Sequence, residues 1–108
     1  MEDLFMDPEE TFARVQAGAK LLDLRTAAEF SRLAVPGAIH APYSRLQDEA
    51  FDHVTKGDTV ICYCISGARG DEAARWLRRH GVENAFNGGG LYQLLDAFDV
   101  DFEDGTGT

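Results

Sequence analysis

Apolar positions along this chain cluster at two different periods. Leu21-Leu22-Asp23-Leu24, Ala38-Ile39-His40-Ala41 and Thr59-Val60-Ile61-Cys62-Tyr63 are nearly continuous apolar runs of strand length. Runs of this kind suit strands buried on both faces, as in a parallel sheet. The run at 59–63, β-branched and apolar, is the strongest of them. Leu4-Phe5-Met6 and Asn84-Ala85-Phe86 read as shorter strands. Between these runs the apolar residues recur at helical spacing. Phe12 and Val15 follow Asp7-Pro8-Glu9-Glu10, where Asp7 suits a cap and Pro8 the first helical position, with Gly18 as the stop. Thr26-Ala27-Ala28-Glu29 has capping-box spacing and opens a short helix with Phe30 and Leu33 inward. Ser44-Arg45-Leu46-Gln47 repeats that spacing ahead of a helix running towards Phe51. A helix over 70–80 places Ala73, Ala74 and Leu77 on one face, with Arg75, Arg78 and Arg79 mostly on the other. Gly88-Gly89-Gly90 reads as a tight turn before a last helix over 91–95. Alternating strands and helices predict an α/β fold with a mostly parallel sheet.

Length and composition fit one domain, placed at residues 1–98, with an acidic and then Gly/Thr-rich tail over 99–108 expected to be flexible. The net charge of −9 argues against nucleic acid and against anionic membrane surfaces, because no basic footprint meets their phosphates. No apolar run is long enough to cross a bilayer. The first five residues are acidic and lack the basic and apolar regions of a signal peptide, so a cytoplasmic location is expected. Cys62 and Cys64, taken as pointing to opposite faces of one strand, would make a strained disulfide, so two free thiols are expected. Neither they nor His40, His53 and His80 have ligand spacing, and no metal is expected.

The candidate chemistry lies in Cys64-Ile65-Ser66-Gly67-Ala68-Arg69-Gly70. In open α/β sheets ligands bind beyond the carboxyl ends of strands, which is where Cys64 falls. Only the thiolate is a good nucleophile, so a catalytic site must favour it. Loop N–H groups turned inward and the positive end of the following helix both do so. Small residues let the backbone approach, and Arg69 adds a bidentate grip on an oxyanion. Asp71 and Glu72, in the first helical turn, oppose that anion. Cys62, mid-strand, reads as core packing. Asp23, Arg25 and Glu29 read as a structural set, and His40 as a packed histidine rather than a base.

Four stretches in order resemble a known family. They are Leu21-Leu22-Asp23-Leu24-Arg25 with Glu29-Phe30, then Pro36-Gly37-Ala38-Ile39-His40-Ala41-Pro42, then Tyr63-Cys64-Ile65-Ser66-Gly67-Ala68-Arg69, then Asn87-Gly88-Gly89-Gly90-Leu91. Together they look like a single-domain rhodanese, a thiosulfate sulfurtransferase, over about residues 4 to 97. The resemblance implies a central five-stranded, mostly parallel sheet with helices on both faces. It implies that Cys64 takes a sulfane sulfur from thiosulfate or a persulfide donor and becomes a persulfide. The amides of Ile65, Ser66, Gly67, Ala68 and Arg69 would cradle that sulfur. Cyanide, a thiol or a thiol protein would then accept it, with no cofactor. Two positions depart from the family pattern. Leu33-Ala34-Val35 stands where a Gly-His pair is usual, and Gly70 stands where a serine is usual. Two other functions compete. One is a persulfide carrier or interaction module with little turnover of its own. The other is a cysteine phosphatase or arsenate reductase, but phosphatases of this chemistry place five residues between cysteine and arginine, and here there are four, Ile65 to Ala68.

Overall fold

A computed structural model describes residues 3–102. Four parallel strands form one sheet: β1 (Lys20–Asp23), β2 (Ile39–His40), β3 (Thr59–Cys64) and β4 (Asn84–Gly90), in the order β2-β1-β3-β4. Among the described residues five α-helices flank it: α1 (Pro8–Gln16), α2 (Ala27–Arg32), α3 (Leu46–His53), α4 (Ala68–Arg79) and α5 (Leu91–Ala97).

The expected fifth strand is reduced to one bridge. Phe5 lies opposite Asn87, the Met6 N–H donates to the Asn87 carbonyl at 2.9 Å, and the Asn87 N–H donates to that of Leu4 at 2.8 Å. Pairing stops there for local reasons. Asp7 turns to cap α1, accepting from the Glu10 N–H at 2.8 Å, and Pro8 has no N–H to offer a ladder. On the other side the Phe5 N–H is taken by the Asp3 carboxylate at 3.4 Å.

The period of two along β3 divides the core. Val60, Cys62 and Cys64 face one way, with Leu22, Leu24 and Ala85, under Leu46 and Ala50 of α3 and Ala73, Ala74 and Leu77 of α4. Ile61 and Tyr63 face the other way, with Leu21, under Leu91, Leu94 and Leu95 of α5. Cys62 and Cys64 are therefore on the same face, not opposite ones, because two residues make one full strand period; both are free thiols.

Several local expectations shift. The capping box Thr26–Glu29 forms, with reciprocal bonds of 3.3 and 3.0 Å. The one expected at Ser44 does not. Pro42 leads into a 3₁₀ turn, Tyr43–Arg45, and α3 starts after it without a side-chain cap. In α1 the buried residue is Thr11, while Phe12 is 37% exposed and meets the Phe98 ring edge-on. Gly88-Gly89-Gly90 is not a turn but the end of β4. Cys62 pairs with Asn87 and Tyr63 with Gly89, so Gly88 is bulged out of register. A Cβ on Gly88 would lie 2.8 Å from the Ile61 Cγ2, which explains its size. In the expected tail the Val100 N–H donates to the Leu95 carbonyl and Phe102 packs on Tyr92; residues 103–108 lie outside the described residues. Among the described residues no helix is long and apolar enough to cross a membrane.

Asp23 is fully buried because its charge is matched. Arg25 grips it twice, Nε to Oδ1 at 3.0 Å and Nη2 to Oδ2 at 2.7 Å, and also donates to the Leu33 carbonyl. The Tyr63 hydroxyl donates to Asp23 Oδ2 and accepts from the Val35 N–H at 3.0 Å. The cluster fastens β1, β3 and the segment after α2 to one another. A buried ion pair holds only when every partner is bonded, and here no buried side-chain N or O among the described residues lacks a partner. His40, expected as a packed histidine, bonds the Arg25 carbonyl at 2.9 Å and stacks on Phe30. Tyr63→Phe would leave the Val35 N–H unpaired in the core. It is expected to lower unfolding free energy by about 1–3 kcal/mol, read from urea denaturation, with the fold retained by circular dichroism.

Candidate active site

Only three residues separate the end of β3 at Cys64 from the start of α4 at Ala68. Gly67 makes so tight a turn possible. It sits at φ 96°, in the left-handed region, and a Cβ there would lie 3.3 Å from the Gly89 Cα. The turn aims N–H groups at the sulfur, and the Gly67 N–H donates to Cys64 Sγ at 3.0 Å. Burial alone would push the Cys64 thiol up. The backbone N–H groups of Gly70, Ser66, Gly67 and Arg69 outweigh it and hold the thiol below its ordinary range. Cys62, a strand period away, has no such amides, and burial pushes it up to about 12.

The residues expected at the site divide between floor and rim. Cys64 and Gly67 are buried; Ile65, Ser66, Ala68 and Arg69 are exposed around a pocket of about 300 Å³, which Arg25 and Glu29 complete. The amides that face the sulfur run from Ser66 to Gly70, with one exception. The Ala68 N–H instead lies 3.5 Å from the Ser66 hydroxyl. Ile65 brings an apolar wall, 49% exposed. Arg69 lays its guanidinium 5.8 Å from the Tyr43 ring centre. The two opposing acids are otherwise engaged. Asp71 pairs with Arg75 at 2.9 Å, and Glu72 accepts from the Tyr43 hydroxyl. Neither Asp23 nor Arg25 offers a free acid or base, since each is spent on the other.

One residue beside the loop, part of the fourth matching stretch, had no role assigned from sequence. Asn87 is 8% exposed, and its amide group spans the gap between the loop and β4. Nδ2 donates to the Gly67 carbonyl at 3.0 Å, and Oδ1 accepts from the Gly89 N–H at 2.9 Å. The same Oδ1 occupies the place a Cβ would take on Gly70. Gly70, the position where the resemblance leads one to expect serine, is therefore small because Asn87 stands against it. That glycine was the available signal; its partner, 17 residues on, was not visible.

The family model of the rhodanese-like domain matches residues 7–96. The chain belongs to the rhodanese-like family. The thiosulfate:glutathione sulfurtransferase of Saccharomyces cerevisiae is 30% identical over 93 residues, covering 74% of this chain and 66% of that protein. A Bacillus subtilis (strain 168) protein, YrkF, whose name proposes a sulfur carrier, is 28% identical over 67 residues, covering 62% of this chain and 36% of its own length. The chain thus spans between about a third and two thirds of these curated relatives. Among solved structures, the human single-domain sulfurtransferase TSTD1 superposes with a TM-score of 0.75 at 24% identity, covering 86% of this chain and 95% of that one. This rhodanese-like domain therefore stands in a family of sulfurtransferases and sulfur carriers.

Two measurements test the site. Alkylation by iodoacetamide, mapped by peptide mass, is expected to label Cys64 and spare Cys62 at neutral pH. Its rate should rise through an inflection below the ordinary thiol value of about 8.5, since only the thiolate reacts. By linkage, the depressed value also stabilises the fold at pH above the unfolded thiol range. That contribution is lost as pH falls through the folded value. Asn87→Ala frees the Gly67 carbonyl and loosens the amides, so the alkylation inflection should move up in pH while the circular dichroism spectrum is kept.

Proposed function

We propose that this domain is a sulfurtransferase that carries sulfane sulfur on Cys64. The supporting observation is a thiol held low by four backbone N–H groups, at the floor of a small pocket with a guanidinium on its rim. The four-residue interval between Cys64 and Arg69 favours a single sulfur over a tetrahedral phosphoryl group.

The cycle has two steps. The Cys64 thiolate attacks the sulfane sulfur of thiosulfate, or of a persulfide, while Arg69 steadies the anionic end. The donor's S–S bond breaks, and sulfite, or the donor thiolate, leaves with the electron pair. The amides that faced Sγ are placed to hold the charge now on the outer sulfur. An acceptor then attacks that outer sulfur, the bond to Sγ breaks, and its electrons restore the thiolate. Cyanide leaves as thiocyanate; a small thiol or a thiol protein leaves as a persulfide. Such covalent catalysis has ping-pong kinetics. Two free thiols suit a reducing compartment such as the cytoplasm.

A second reading is favoured by the relative named as a sulfur carrier and by the chain's net charge of −9, which would steer it to a basic partner. In that case the Cys64 persulfide is stable and discharges to a partner protein rather than to small acceptors.

Incubation with thiosulfate, followed by peptide mass mapping, should show a one-sulfur gain on Cys64 and none on Cys62. Added cyanide should discharge it as thiocyanate. Cys64→Ser should lower turnover by on the order of 10⁴-fold or more, as loss of a covalent nucleophile does. Absence of the sulfur on Cys64 with both thiosulfate and a persulfide donor overturns the reading. Stable loading without turnover selects the carrier.

A further inference from the structure

Arg69 stands between two hollows. One is the Cys64 pocket. The other, about 370 Å³, includes Arg25, Thr26, Tyr43, Ser44, Arg45 and Arg69 in its wall. The two share Arg25 and Arg69, so they are contiguous along one rim.

The second hollow is unusual for so acidic a chain. Among the described residues no carboxylate lines it. Glu72, bonded to Tyr43, lines an adjoining hollow that shares Tyr43 and Ser44 with this one. The Arg25 guanidinium is committed to Asp23 and the Leu33 carbonyl. That of Arg69 makes no hydrogen bond or ion pair among the described residues, only its approach to the Tyr43 ring. Arg45, 59% exposed, has a loose pair with Glu49 at 3.7 Å, of the exposed kind that a ligand displaces readily. The Ser44 hydroxyl makes no hydrogen bond among the described residues. The unpaired Arg69 guanidinium, that of Arg45 with its loose exposed pair to Glu49, and a hydroxyl thus line one cavity, a donor set for a carboxylate.

The second half of the cycle says what would bring that carboxylate. Once Cys64 is loaded, the reacting sulfur stands one S–S bond, about 2.05 Å, nearer the mouth. The acceptor meets it at the rim, and the body of the acceptor lies beyond Arg69. We infer that the second hollow is an acceptor subsite, and that the preferred acceptor is a small thiol bearing a carboxylate, held between Arg69 and Arg45 with Ser44 as a further donor. This rests on the sulfurtransferase reading. The acceptor thiolate attacks the outer sulfur, the bond to Sγ breaks, and the electron pair returns to Cys64. The carboxylate keeps its charge throughout and serves only to place the thiolate.

The test uses persulfide-loaded protein discharged by two acceptors of matched length, 3-mercaptopropionate and 3-mercapto-1-propanol. The ratio of their second-order discharge rates cancels intrinsic thiol reactivity when variants are compared. Arg45→Met is expected to lower the carboxylate-to-alcohol ratio about fivefold to tenfold, the worth of one charge-assisted contact at a partly exposed site. Arg45→Lys should recover part of it, and added salt should narrow the wild-type ratio. An unchanged ratio in Arg45→Met, with normal loading of Cys64, overturns the subsite and leaves the sulfurtransferase reading standing. Slower loading by thiosulfate in Arg45→Met, with an unchanged ratio, gives the hollow to the donor and overturns the acceptor assignment. Failure of wild-type Cys64 to load defeats both readings.

Discussion

Everything at the carboxyl end of β3 depends on how closely the Cys64 loop approaches β4. For several N–H groups to converge on one sulfur, the loop must turn within three residues and then lie against a neighbouring strand. Gly67 supplies the left-handed turn, and the Gly89 backbone lies within contact distance of where its Cβ would be. Gly90 is constrained in the same way, since a Cβ there would lie 2.6 Å from the Ile65 carbonyl. Asn87 then closes the gap with one hydrogen bond to each side. The glycines in β4 are thus a contact surface for the loop rather than a source of flexibility.

The electrostatics follow from that packing. A buried thiol would ordinarily resist ionisation, as Cys62 does. Cys64 differs from it by the N–H groups around its sulfur, not by a neighbouring positive side chain. The acids in the first turn of α4 are drawn off by Arg75 and Tyr43, so their charges are met by partners at the surface. Among the described residues Arg69 has no hydrogen-bonded partner, and its guanidinium is left over the Tyr43 ring.

Much of this was legible along the chain, and the remainder was illegible for physical reasons. The apolar runs of β1 and β3 and the Ala73, Ala74, Leu77 face of α4 are periodic, so local pattern revealed them. Cys64 and its loop stood out because a thiol, small residues and an arginine between a strand and a helix are a local signature. The sheet came out one strand short because Leu4-Phe5-Met6 has strand-like composition, yet its pairing is cut off by the cap at Asp7. Helical spacing favoured Phe12 for the core, but α1 turns Thr11 towards β4 instead, with its Oγ1 3.6 Å from where a Gly88 Cβ would be. Ser44 had cap spacing, but the 3₁₀ turn after Pro42 takes it out of the cap position. Asn87 lies within a matching stretch, but its role was opaque because its partner across the gap, the Gly67 carbonyl, lies on a loop distant in sequence, and spacing carries no trace of it.

The shared face of Cys62 and Cys64 has a consequence for oxidative damage. Many redox-active cysteines keep a resolving thiol at hand, which traps a sulfenic acid as a disulfide before it oxidises further. Cys62 is near in sequence but fully buried, protonated, and fixed one strand period away. It cannot swing to Cys64 without breaking the ladder of β3, so this fold has no internal rescue. A sulfenic acid formed on Cys64 therefore has to be reduced by an agent arriving from outside, through the mouth of the pocket.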